Sequence, residues 1–249
     1  AAVKKWQYAH HQFAAEIHFR PGEFPVAKGQ FIALSGNTGA SKGPHIHLEM
    51  HKTKSNNLCD PLNFLKSFIK DKTAPAVYSF KSYPQPGEGV FQHSPDSRIF
   101  TFDKGRFQAW GKVGFGIRAN DHMDSVYNNY GVRYTRLYCD GKLVFASDVN
   151  NIPVSCNRMV NSWGDYDHFL HTKIWFMKSF IEPGNTLPIL RAGADRGIIN
   201  FNQQRDYHLR YVVSDAFGNQ TVKEFTVHGE PQAIPSVAKP EGGLPLYCK

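Results

Sequence analysis

The sequence predicts a mainly β protein, and three observations carry that reading. First, His45-Ile46-His47-Leu48-Glu49-Met50 alternates polar and apolar residues, the two-residue period of a half-buried strand. Second, residues 132–138 and 142–146 form two strand-like runs joined by Asp140-Gly141, a pair suited to the type I′ turn of a tight hairpin. Third, residues 207–214 and 221–227 form a similar pair, joined through Asp215-Ala216-Phe217-Gly218-Asn219. Short strands at close spacing, separated by turn residues, are expected of a β-sandwich.

Taken in order, residues 6–9 are expected as a strand ending at His10, and residues 13–19 lead into the turn Arg20-Pro21-Gly22. Gly29 marks another turn before an apolar strand at 31–34. Ser35-Gly36-Asn37-Thr38-Gly39 is a turn-rich loop, and Lys42-Gly43-Pro44 is a second break. In the strand at 45–50, His45, His47 and Glu49 share one face while Ile46, Leu48 and Met50 share the other. Two imidazoles about 7 Å apart on that face, two strand rises, suit a metal ligand and a proton carrier. Taken alone, His-x-His is more often an ordinary surface strand.

Asp60 caps a helix with Pro61 at its first position, and Leu62, Leu65, Phe68 and Ile69 carry the helical spacing. Thr73-Ala74-Pro75 reads as a linker. Strands are expected at 98–102 and 114–119, then the two hairpins, with a short helix or buried loop within 163–181. The domain reading is therefore residues 1–72, a β-sandwich over 73–229, and an extended tail or linker over 230–249.

The run Gly29-x-x-Ile32-x-x-Ser35-Gly36-Asn37-Thr38-Gly39-x-Ser41-x-Gly43-Pro44-His45-Ile46-His47-Leu48-Glu49 resembles the C-terminal motif of the lysostaphin-like (LytM-type) zinc endopeptidases. Those enzymes cut peptide cross-links in bacterial cell walls. Tyr8-Ala9-His10 resembles the family's Tyr-x-His segment, and Asp60-Pro61 with residues 62–65 resembles the close of its domain. The resemblance implies a partial lysostaphin-like antiparallel β-sheet core over residues 1–72, zinc as cofactor and peptidoglycan as substrate. It implies His47 as a zinc ligand, with His10 and His45 as the catalytic histidines that orient and deprotonate water or stabilise the oxyanion. Glu49 follows the motif as a supporting or structural residue. The sandwich resembles, more distantly, immunoglobulin-like modules of bacterial surface proteins.

The chain departs from the pattern in one respect. A catalytic zinc keeps three protein ligands and a water acidified to a pKa of about 7. The other two family ligands, a His and an Asp, lie well before the Tyr-x-His, so they are expected upstream of Ala1. The nine residues before His10 contain no His, Asp, Glu or Cys, and neither His11 nor His18 replaces them. Three readings stay open: a piece of a complete enzyme, a catalytically inactive module that binds cell wall or activates another hydrolase, and a truncated gene product or structural module whose β-sandwich carries the function.

The 249 residues are 41% hydrophobic and 14% aromatic, which excludes a disordered chain. The aromatics of the second domain are expected in its core rather than as a carbohydrate platform. A formal charge of +8 suits an anionic partner. The basic residues are scattered, no nucleic-acid-binding motif accompanies them, and no nucleic-acid partner is expected. No apolar run reaches about 18 residues, so no transmembrane segment is expected. Ala1-Ala2-Val3 reads as a mature or clipped N-terminus, so the lack of a signal peptide says nothing about export. The resemblance implies an exported protein of the periplasm or cell envelope. Cys139 and Cys156 suit either a periplasmic disulfide or free thiols. Two further patterns are set aside: Gly111, Gly114 and Gly116 lack the strand-then-helix context of a dinucleotide site. Asp121, His122 and Asp124 read as a solvated turn.

Overall fold

The computed structural model of the protein describes residues 2–37, 39 and 43–237. Thr38 of the turn-rich loop, Lys42 of the second break, and the end of the tail with Cys248 lie outside the described residues. The chain divides into two compact units, residues 1–47 and 48–249.

In the first unit, α1 (Ala2–His10) occupies the stretch expected as a strand over 6–9. Ala, Lys and Gln favour a helix, and Trp6 and His10, one turn apart, stack at 4.1 Å. Both turns are present. Glu23 N–H donates to Arg20 O at 3.1 Å and Gln30 N–H to Ala27 O at 3.0 Å. Gly22 and Gly29 take φ +82° and +83°, the left-handed conformation such turns require. Residues 31–34 are not a strand, because a strand needs a partner for its backbone groups and the described residues of this unit contain none. Phe31, Ile32 and Leu34 are accordingly exposed. The strand expected at 45–50 is ladder-paired only at its end.

The second unit begins there, with β1 (Met50–His51) pairing antiparallel to β2 (Leu58–Cys59), followed by a one-turn helix α2 (Leu62–Leu65). The helix is shorter than expected and its N-cap position is Pro61, without a side-chain cap; Asp60 just ahead accepts from Leu62 N–H at 2.9 Å through Oδ1. Then come β3 (Ala76–Phe91), β4 (Arg98–Phe100), β5 (Arg106–Asn120), β6 (Tyr134–Cys139) and β7 (Lys142–Asp148). A 3₁₀ turn (Val154–Met159) leads to the short helices α3 (Val160–Trp163) and α4 (Tyr166–Thr172). The chain continues through β8 (Met177–Lys178), β9 (Leu190–Ala192), β10 (Ile199–Phe201), β11 (Asp206–Ser214) and β12 (Gln220–Gly229).

These ten strands form one curled sheet in the order β4-β3-β5-β12-β11-β6-β7-β9, with β8 and β10 also pairing to β5. The curl originates in β5. One edge follows β3 antiparallel, while the other serves β12 in parallel at residues 106–109, then β10 at 111–113, then β8 at 116–117. The change of partner falls at Gly111, whose φ is +75°. A Cβ there would sit 2.1 Å from Glu88 O, and one at Gly89 would sit 2.0 Å from Lys112 O. Glycine is required where these two backbones cross. Gly114 and Gly116 face the rings of Phe180 and Tyr83, so this glycine series serves packing.

Both hairpins form as their turns predict. Asp140 and Gly141 take φ +49° and +77°, as a type I′ turn needs. Asp215 Oδ1 accepts from the backbone N–H of Phe217, Gly218 and Asn219 at 2.7–2.9 Å, which shapes the second turn. The core is aromatic: Phe80, Phe91, Phe107, Phe115 and Phe225 are buried, and Phe80 stacks on Phe225 at 4.5 Å. Cys59, Cys139 and Cys156 are free thiols, so the disulfide weighed for Cys139 and Cys156 is absent. Cys139 closes β6 in the ladder while Cys156 lies in the 3₁₀ turn beyond β7.

Residues 57–63 are fastened to the large sheet. Leu58 and Ile152 exchange two backbone hydrogen bonds, at 2.8 and 2.9 Å. Arg133, only 7% exposed, donates to Asp60 Oδ2 and Asp148 Oδ1, both at 2.6 Å. Arg133→Met strands Asp60 beside an apolar wall, while Asp148 stays half in water. A loss of about 2–3 kcal/mol is expected in urea unfolding, less than for a fully buried pair. Amide exchange over 57–63 should accelerate selectively; unchanged exchange there would show that the clamp does not hold the segment.

Candidate functional site

The three sequence-expected residues lie in the first unit. His10 closes α1, where its Nδ1 is 2.9 Å from Trp6 O. His45 Nδ1 is 2.9 Å from Gly43 O. A carbonyl only accepts, so each ring donates from Nδ1, and in the neutral ring the lone pair lies on Nε2. His10, His45 and His47 are all exposed. His10, His45 and His47 do not gather into a group with donor atoms within 4.8 Å of one another.

In the second unit, Glu49 Oε2 lies 3.1 Å from His51 Nε2, and His51 Nδ1 faces Asn56 O at 3.2 Å and Asn56 Oδ1 at 2.9 Å. Both ring nitrogens therefore point at oxygen acceptors. The Glu49 hydrogen bond, followed by that to the Asn56 backbone, raises the His51 pKa above its ordinary value. In this arrangement His51 bridges Glu49 and Asn56 across the end of the strand. The alternation of residues 45, 47, 49 and 51 was the available signal for His51.

Among the described residues, the group of metal-ligating side chains that does converge is carboxylate: Asp71, Asp121 and Asp215, with one oxygen of each within 4.8 Å of the others. This corrects the reading of Asp121, His122 and Asp124 as a solvated turn. Asp121 is 4% exposed and belongs with Asp71 and Asp215, at 8% and 1%. Asp124, next to Asp71, accepts from Lys72 N–H at 3.2 Å and from Thr73 Oγ1 at 2.7 Å. The three carboxylates come from the segment before β3, the end of β5 and the β11–β12 turn, which the sheet brings to one end. Burial, then the Asp215 charge, pushes the Asp121 carboxyl up to about 6, and burial likewise raises Asp71.

No family model matches the chain, and no solved structure matches it. A stretch of 26 residues is 69% identical to a protein of Haemophilus influenzae described as an uncharacterized metalloprotease. That stretch is 10% of this chain and 6% of the relative, so the chain spans a small fraction of the relative's length. Over that segment the chain is related, weakly, to a metalloprotease.

Proposed function

We propose that the protein is an exported zinc endopeptidase of the periplasm or cell envelope that hydrolyses peptide cross-links of peptidoglycan. The observation that carries this is the Gly-Asn-Thr-Gly … His45-Ile46-His47 motif, which resembles lysostaphin-like enzymes, and the short metalloprotease match agrees with it. His47 is assigned as the zinc ligand. His10 and His45 are assigned as the proton-handling histidines. Peptide hydrolysis requires a proton to leave water and one to reach the amide nitrogen, and a neutral imidazole with its lone pair on Nε2 suits both transfers. The described residues do not complete a zinc site: His47 is one donor where three are needed, and the remaining His and Asp are assigned upstream of Ala1.

The curled sheet over 73–229 is read as an immunoglobulin-like sandwich, because β5 switches partners along its length, and 230–249 as a tail or linker. The charge of +8 draws this protein toward the carboxylates and phosphates of a wall.

A second reading is a catalytically inactive module that binds the wall or activates another hydrolase. His47 is the single zinc donor that the motif assigns among the described residues, and one imidazole holds zinc weakly, which favours it. Digestion of purified sacculi by protein isolated from its native source separates the two. The enzyme reading predicts soluble muropeptides, with release stopped by 1,10-phenanthroline and restored by Zn2+. Protein that pellets with sacculi and releases nothing supports the inactive module.

A further inference from the structure

Burying three like-charged carboxylates at one point is unfavourable unless a cation or a proton balances them. None of Asp71, Asp121 and Asp215 pairs with a Lys, Arg or His side chain among the described residues. Asp215 Oδ1 takes three backbone N–H groups, while its Oδ2 accepts only from Asn219 Nδ2 at 2.7 Å and keeps a lone pair for a cation. The other two carboxylates are less well served. Asp71 Oδ1 accepts from Thr73 N–H at 3.0 Å, but its Oδ2 is buried with no hydrogen-bond partner, and so is Asp121 Oδ1. Both residues are more than nine-tenths buried, and one carboxylate oxygen of each lies within 4.8 Å of the other's and of Asp215's.

An all-oxygen, thiol-free and imidazole-free donor set selects a hard cation over zinc. Two oxygens on opposite sides of Ca2+, each about 2.4 Å away, are about 4.8 Å apart, so the observed spread fits within one coordination sphere. Asp121 also lines a cavity of about 490 Å³, with Leu58, Pro61, Tyr130, Val132 and Ile152.

We propose that Asp71, Asp121 and Asp215 form a Ca2+ site that ties the segment before β3 to the end of β5 and the β11–β12 turn. The site is separate from the histidine motif and does not depend on the peptidase reading. Its occupation links three segments far apart in sequence, so it stiffens the start of the sheet just after the linker Thr73-Ala74-Pro75.

The test is thermal unfolding and isothermal titration of the full chain at pH 7, after EGTA treatment, with CaCl2 or MgCl2 as the probe. One Ca2+ per chain is expected. Its addition at about a hundredfold above Kd raises Tm by about 5–10 °C, and EGTA reverses the rise. Asp121→Asn, which keeps shape and removes one charge, should fold and lose the calcium response; Asp167→Asn, at an exposed carboxylate away from the cluster, should keep it. No heat and no Tm shift at millimolar Ca2+, with Asp121→Asn more stable than the parent, would mean that a proton balances the cluster, and would overturn the site. A calcium shift equal in Asp121→Asn and the parent would also overturn it, as surface binding. A response to MgCl2 without one to CaCl2 would overturn the choice of calcium.

Discussion

Asp165→Ala is expected to cost about 3–5 kcal/mol, a large part of the 5–15 kcal/mol by which domains are stable. Asp165 sits just before α4 and accepts from Lys81 Nζ at 2.6 Å and Tyr83 Oη at 2.8 Å, from neighbouring positions on β3. Lys81 and Asp165 are each 9% exposed, so removing the carboxylate leaves an ammonium and a phenol with no partner in the interior. The contrast with a double replacement makes the argument specific. Lys81→Met with Asp165→Leu removes both charges and should recover most of the loss. Equal destabilisation in the double variant would mean that packing, not charge, is decisive.

The pH dependence of the same pair has a definite sign. Burial alone would raise the Asp165 carboxyl, but hydrogen bonds from Lys81 and Tyr83 outweigh it and hold the group below the ordinary carboxylate range. A carboxyl depressed in the folded state contributes stability that is fully present above its unfolded pKa of about 4. That contribution is lost as pH falls through the folded value. Urea midpoints of the parent and Asp165→Ala should therefore converge in acid, below about pH 4.

His45→Ala is expected to slow sacculus hydrolysis by about 10²–10⁴-fold, the usual weight of one general acid or base. Zinc content should be unchanged, because His45 is assigned to proton handling and His47 to the metal. Loss of zinc in His45→Ala would reassign that residue as a ligand.

What the sequence disclosed and what it hid divide along the range of the interactions. Asp140-Gly141 and Asp215 to Asn219 announce their hairpins because the turn is built from its own residues. The expected strands at 6–9 and 31–34 depended on ladder partners outside themselves. Without such partners among the described residues, 2–10 follows its own helix propensity and 31–34 stays irregular. Asp121 could not be read correctly beside His122 and Asp124, because Asp71 and Asp215 reach it only through the sheet's topology. The expected boundary after residue 72 came from the linker-like Thr73-Ala74-Pro75; the compact units divide at 47/48, with Arg133 and Ile152 holding residues 57–63 against the sheet. A linker pattern marks a change of composition and a compact unit marks packing, and the two need not coincide.

The most direct test of the central claim is zinc content by elemental analysis in protein purified from its native source, comparing the parent with His47→Ala and His45→Ala. The metallopeptidase account predicts about one zinc per chain in the parent and in His45→Ala, and none in His47→Ala. A parent without zinc, or one whose zinc survives His47→Ala, would contradict it.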